Sequence, residues 1–95
     1  MEVMNLENLT IKESSVYCPE ERFIEIRQIT GWMQLYGQHG DWYQNIGSYI
    51  CQYDICYTER QPYGDTFKYV QTPLAFEDIP QYVLDYLYSH NYQHR

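Results

Sequence analysis

The clearest pattern in the chain is an alternation between two sets of side chains from residue 49 to residue 58. One set is mostly aromatic or apolar and comprises Tyr49, Cys51, Tyr53, Ile55 and Tyr57; the other comprises Ile50, Gln52, Asp54, Cys56 and Thr58. Because successive side chains of a strand point to opposite faces, this period of two predicts a β-strand with one tyrosine-rich face.

The alternation stops in residues 59–65, where Pro62 and Gly64 are typical of a turn. It resumes in residues 66–72, with Phe67 and Tyr69 on one face. The pattern therefore predicts a β-hairpin over residues 47–72, and we expect its aromatic face to form the floor of the core.

A helical period follows near the C-terminus. One arc of this predicted helix carries Ile79, Val83, Tyr86, Leu87 and His90, and the opposite arc carries Glu77, Gln81, Asp85 and Tyr88. Such an amphipathic pattern indicates a helix packed on one face of the sheet. Asp78 is the expected N-cap, and Pro80 suits the first turn.

Residues 19–36 fit two interpretations. Pro19 and the acids after it are typical of a helix start, and apolar residues then recur at helical spacing as far as Gly37. The alternative is two strands, over residues 22–30 and 32–36, because β-branched residues are frequent here and Gly31 would cost about 1 kcal/mol inside a helix. We favour the helix.

These elements predict a single α+β domain over residues 1–95. Its small antiparallel sheet is built on the central hairpin, with a C-terminal helix, one earlier helix, and a short edge strand near Leu9 and Ile11. A chain of 95 residues is long enough for one modest core.

Charge and tyrosine content point away from nucleic acid and toward a protein partner. The net charge is −7, and no Lys or Arg lies between Arg27 and Arg60 or between Lys68 and Arg95. Phosphate binding needs clustered basic residues, so we expect no direct contact with nucleic acid. The twelve tyrosines fit a protein interface, where this residue is enriched.

Catalytic and metal-binding motifs are weak in this chain. It has no phosphate-binding glycine loop and no His-Glu-x-x-His sequence. Cys51 and Cys56 fall on opposite faces of the predicted strand, where they cannot share one zinc ion without a bulge. We therefore expect no enzyme activity, no cofactor and no metal; a small metal module or Cys/His enzyme using His39, Asp41 and a cysteine is the weaker alternative.

The remaining signals concern location. The three cysteines form no paired framework, and the chain shows neither a signal peptide nor an apolar run that could cross a membrane. We expect a cytoplasmic protein with no membrane contact.

Taken together, these observations favour a non-enzymatic inhibitor or regulator that binds a protein partner through an acidic, tyrosine-rich surface. A sharper hypothesis is occlusion of a nucleic-acid-binding groove, as small acidic phage or mobile-element inhibitors of defence complexes do, anti-CRISPR proteins among them. This is an analogy of size and composition. A structural subunit that forms a homodimer through its tyrosines is the alternative. The expected contact residues are Asp54, Glu59, Glu77, Asp78, Asp85, Tyr57, Tyr63 and Tyr88.

Overall fold

The computed structural model describes residues 5–13, 18–29 and 41–94. In these ranges the chain is mostly strand, and its α-helix near the C-terminus is the C-terminal helix that the sequence predicts. The elements are β1 (Thr10–Glu13), β2 (Arg22–Ile29), β3 (Trp42–Ile46), β4 (Tyr49–Tyr63), β5 (Thr66–Pro73), a 3-10 turn (Phe76–Asp78), α1 (Gln81–Ser89) and β6 (Gln93–His94).

Strand β4 is the centre of the sheet. β2 pairs with one edge of β4, while β3 and β5 share the other edge, opposite residues 49–53 and 56–63 respectively. β1 extends the sheet beyond β2, and β6 extends it beyond β3. The β1–β2 pair is parallel and the other pairs are antiparallel, so the sheet is mixed and the expectation of a purely antiparallel sheet is wrong.

The helix predicted over residues 19–36 is wrong for residues 22–29, which form strand β2. The physical reason is that β2 is buried on both faces: Phe23 lies on one face, and Ile24 and Ile26 lie on the other. A strand covered on both sides loses its simple alternation, so its apolar residues can imitate helical spacing. Residues 30–36 lie outside the described residues.

Strand β4 does not stop at residue 59 but continues through Pro62 to Tyr63. Backbone N–H groups of the even-numbered residues of β4 point toward β2, as the bond from Arg60 N–H to the Glu21 carbonyl shows. β2 ends opposite Glu59, so the missing N–H of Pro62 breaks no ladder bond. The chain reverses at Gly64 and Asp65 and returns as β5.

The core lies between one face of the sheet and α1. The sheet contributes Ile24 and Ile26 from β2 and Tyr53, Ile55 and Tyr57 from β4, and the helix contributes Val83 and Leu87. The part of the hairpin near its turn lies outside this core, because every residue of β5 is exposed or half-buried. The expected aromatic floor is therefore limited to the first half of β4.

Tyr82 ties the N-terminal segment to α1. Its hydroxyl donates a hydrogen bond of 2.6 Å to the Leu6 carbonyl and accepts one of 2.9 Å from the Leu9 N–H. The helix itself begins after Pro80, and no side chain caps it. The prediction of Asp78 as N-cap is therefore wrong, because Asp78 belongs to the preceding 3-10 turn.

Candidate functional site

An aromatic cluster reaches the surface on the helix side of the sheet, around the buried Trp42. The ring centroid of Trp42 lies 6.0 Å from that of Phe76, 5.6 Å from Tyr88 and 4.9 Å from His94. Phe76 is 39% exposed and Tyr88 is 52% exposed. We refer to these four residues as the Trp42 cluster. A buried indole therefore supports two exposed aromatic side chains.

Three acidic residues lie next to this cluster. Glu77 and Asp78 directly follow Phe76, and Asp85 precedes Tyr88 by three positions, which places the two side chains on neighbouring turns of α1. All three acids are exposed, and none of them forms an ion pair with another described residue.

The chain segment that carries Phe76, Tyr88 and His94 is acidic. Residues 74–94 contain no Lys or Arg, and the three carboxylates form no ion pair within the described ranges. Gln81 Nε2 donates a hydrogen bond of 2.9 Å to Asp85 Oδ1, which leaves the charge of that carboxylate unbalanced. We refer to Phe76, Glu77, Asp78, Asp85 and Tyr88 as the acidic-aromatic surface.

The other predicted contact residues lie elsewhere. Asp54 Oδ2 accepts a 2.8 Å hydrogen bond from Arg27 Nη2 on the sheet face opposite α1. Glu59 lies on the other face of β4, because its position is odd-numbered. Tyr57 is only 8% exposed and packs in the core, where a partner cannot reach it. Tyr63 is exposed at the end of β4. The eight predicted residues thus do not form one surface.

A polar network that the sequence analysis missed covers the sheet face opposite α1. Glu25 accepts hydrogen bonds from Thr58 Oγ1, at 3.3 Å, and from Gln71 Nε2, and it lies 3.7 Å from Lys12 Nζ. Arg27 Nη1 donates a 3.1 Å hydrogen bond to Gln71 Oε1. Interpreting residues 22–29 as a strand would have placed Glu25 and Arg27 on one face, which was the available signal.

Two cavities adjoin this network. The smaller, of about 150 Å³, is lined by Cys18, Phe23 and Tyr69 together with members of the network. The larger, of about 310 Å³, lies beside β1 and residues 18–20. Lys12 and Glu25, which line the smaller cavity, pair with each other, whereas the larger cavity is also lined by Glu13, which accepts a hydrogen bond from Tyr92, and by the exposed Glu20.

Two tyrosine hydroxyls in the core are held by acceptors. Tyr53 donates a 2.8 Å hydrogen bond to Gln44 Oε1, and Tyr92 donates one of 2.8 Å to Glu13 Oε1. Burial raises the pKa of Tyr53 to about 12. Burial, and then the hydrogen bond to Glu13, also raise the pKa of Tyr92. Both hydroxyls therefore stay protonated near neutral pH and act in packing.

The cysteines and histidines form no evident reactive group in the described part of the chain. Cys56 is fully buried, and burial raises the pKa of its thiol to about 11, so it is not an activated nucleophile. No group of three or more His, Cys, Asp or Glu residues that could hold a metal ion occurs among residues 5–13, 18–29 and 41–94. His39, the histidine of the weaker metal or enzyme hypothesis, lies outside these ranges, and Asp41 is exposed.

Neither the length of the helix nor comparison with known proteins indicates a function. No described helix is long and apolar enough to cross a membrane. No protein-family model matches the chain, and neither a curated protein nor a solved structure shows significant similarity to it.

Proposed function

We propose that this protein is a non-enzymatic inhibitor or regulator that binds a basic surface of a partner protein through the acidic-aromatic surface. The observation that carries the proposal is the position of Phe76 and Tyr88. Both side chains are exposed, both rest on the buried Trp42, and three acids without ion-pair partners among the described residues lie beside them.

Each part of this surface has a role in binding. Aromatic side chains held by a rigid support lose little conformational freedom on binding, which is why such residues often dominate interface energetics. The carboxylates supply a negative potential that attracts a basic partner and aligns it. Asp54 and Tyr57 are not part of the proposed surface, because one is paired with Arg27 and the other is buried.

The sharper form of the proposal is that the partner is a nucleic-acid-binding protein. A basic groove that binds phosphates responds mainly to the placement of negative charge, so carboxylates can occupy it in place of the nucleic acid. In this form the protein acts as a phage or mobile-element antagonist of a host defence complex, in the manner of anti-CRISPR proteins.

The experiment is a pull-down with the tagged protein from its native lysate, comparing two variants with the same change in net charge. One variant is E77Q/D78N/D85N. The control is E7Q/E20Q/D65N, which neutralises three exposed acids in other parts of the molecule. We expect the first variant to lose the partner at least tenfold and the control to keep it. Equal retention by both variants would exclude the acidic-aromatic surface as the binding site.

The groove-occlusion form has its own test in the same pull-down. The retained partner should be released by high salt, which screens charge interactions, and by an added DNA or RNA oligonucleotide, which competes for the groove. A partner that withstands the oligonucleotide but depends on Glu77, Asp78 and Asp85 would support the interaction surface and reject the nucleic-acid mimic.

A further inference from the structure

No strand among residues 5–13, 18–29 and 41–94 pairs with the outer edge of β5. Within the described residues β5 pairs only with β4, and its side chains are exposed or half-buried at every position. Phe67 is 48% exposed and Tyr69 is 41% exposed. An open strand edge offers a row of N–H and C=O groups to another extended strand.

The residues whose backbone groups point outward can be identified. Leu74 N–H donates a 2.8 Å hydrogen bond to the Ile55 carbonyl of β4. Because the direction of these groups alternates along an antiparallel strand, the N–H groups of Lys68, Val70 and Thr72 also point toward β4. Those of Phe67, Tyr69 and Gln71 therefore point away from the sheet.

The side chains along this edge form a continuous row on the face opposite α1. The ring centroid of Tyr69 lies 5.9 Å from that of Phe23 and 5.6 Å from that of Phe67, and the guanidinium of Arg60 lies 5.1 Å from the ring of Phe67. A strand added beside β5 would cover the exposed halves of the two β5 rings and gain cross-strand contacts with them.

We infer that the outer edge of β5 pairs with β5 of a second copy of this chain, antiparallel and about a twofold axis. Self-complementarity supports this occupant. With Tyr69 opposite its own copy, Phe67 faces Gln71 and Lys68 faces Val70, and the outward N–H and C=O groups of each strand meet those of the other. Lys68 is the one charged residue of β5, so no like charges oppose each other in this register.

The inference does not rest on the proposed function, and salt distinguishes the two. Each copy carries a net charge of −7, so salt should strengthen self-association by screening the repulsion between copies. Salt should instead weaken binding of a basic partner to the acidic-aromatic surface. Pairing along one eight-residue strand is a small contact, so we expect a dissociation constant in the micromolar to millimolar range.

The first experiment measures mass by analytical ultracentrifugation from micromolar to millimolar protein at low and high salt. The wild type should approach twice the monomer mass as concentration rises. Tyr69→Lys places two lysines opposite each other at the axis and should weaken the dimer at least tenfold, whereas Ile50→Lys, which changes an exposed apolar residue away from β5, should leave it intact. A wild type that stays monomeric throughout would overturn the inference.

The second experiment needs no variant and identifies the edge directly. Amide hydrogen exchange, measured residue by residue, should slow with rising concentration at Phe67, Tyr69 and Gln71. It should be slow at every concentration at Lys68 and Val70, whose N–H groups bond to β4. A dimer that forms without this alternating protection would show that copies associate through another surface.

Discussion

Arg27 and Asp54 lie directly opposite each other on β2 and β4, and Arg27 Nη2 donates a 2.8 Å hydrogen bond to Asp54 Oδ2. The hydrogen bond to Asp54 raises the pKa of Arg27. Both side chains are half-buried, and Arg27 also bonds to Gln71 of β5. The carboxylate that the sequence analysis placed in a binding site therefore joins strands of the sheet.

The first prediction follows from this pair. Asp54→Ala should lower the free energy of unfolding by about 1–2 kcal/mol, the value for a hydrogen bond to a charged group reduced for partial exposure. Glu7→Ala, which removes an exposed acid, should change it by less than about 0.5 kcal/mol. Urea denaturation followed by circular dichroism measures both, and equal losses would mean that the ion pair contributes nothing specific.

A second prediction concerns the packing of α1 on the sheet. Leu87 is fully buried, so Leu87→Ala should lower the free energy of unfolding by about 2–5 kcal/mol through lost burial and a residual cavity. Leu84, on the same helix, is half-buried, and Leu84→Ala should cost clearly less. If the two variants lost the same stability in urea, α1 would not be packed through the face that contains Leu87.

The third prediction addresses the turn between β4 and β5. Gly64 has a φ angle of +60°, and a Cβ added there would meet no atom within 4 Å. The cost of Gly64→Ala is therefore conformational, about 1 kcal/mol, whereas Gly64→Asn should cost less because asparagine tolerates this region of φ. Thermal unfolding of the two variants checks the order, and an alanine variant as stable as the wild type would contradict the turn geometry.

The fourth prediction is a loss of stability at alkaline pH. Tyr53 has its pKa raised from 10.0 to about 12, and burial also raises the pKa of Tyr92. The unfolded chain ionises these tyrosines at lower pH than the folded chain does, so the unfolded state is stabilised relative to the folded state as pH rises above about 10. The free energy of unfolding should therefore fall between pH 10 and about 12.

Phenylalanine variants separate these buried tyrosines from the exposed ones. Urea denaturation of Y53F/Y92F should show a shallower decline above pH 10, while Tyr63→Phe, at an exposed site, should keep the wild-type decline. A smaller decline that begins near pH 9 should remain in Y53F/Y92F, because burial raises the pKa of Cys56 from 9.0 to about 11. Identical profiles for the two tyrosine variants would count against a role for the buried hydroxyls.

The strand and the helix that the sequence predicts are those whose apolar or aromatic residues recur with the period of the element. In β4, Tyr53 and Tyr57 face α1, and the alternation is visible because the opposite face carries the polar residues Asp54 and Thr58, even though Thr58 is buried as well. Along α1, the buried Val83 and Leu87 recur at helical spacing. Alternation does not predict strand β2, because tertiary packing buries Phe23 on the face that alternation assigns to polar residues.

The candidate site likewise contains some residues that the sequence predicts and others that it does not. The acidic helix residue Asp85 and its neighbour Tyr88 are exposed, as an amphipathic helix predicts. The role of Trp42 could not be predicted, because its contacts join β3 to Phe76, Tyr88 and His94, which are far away in the sequence. Asp54 was misassigned for the same reason, since its partner Arg27 comes from a segment that was interpreted as a helix.

The position of β4 at the centre of the sheet also bears on how the chain folds. β4 and β5 are joined by a two-residue turn, so their pairing requires little loop closure, whereas β2 and β4 pair residues that lie 23 (Ile29 with Gln52) to 37 (Arg22 with Glu59) positions apart. Because closing long loops costs entropy before any contact forms, we expect the hairpin to form early and the capture of β2 to limit the folding rate. The turn at Gly64 should then form before the rate-limiting step, so a change that weakens this turn should slow folding more than it speeds unfolding.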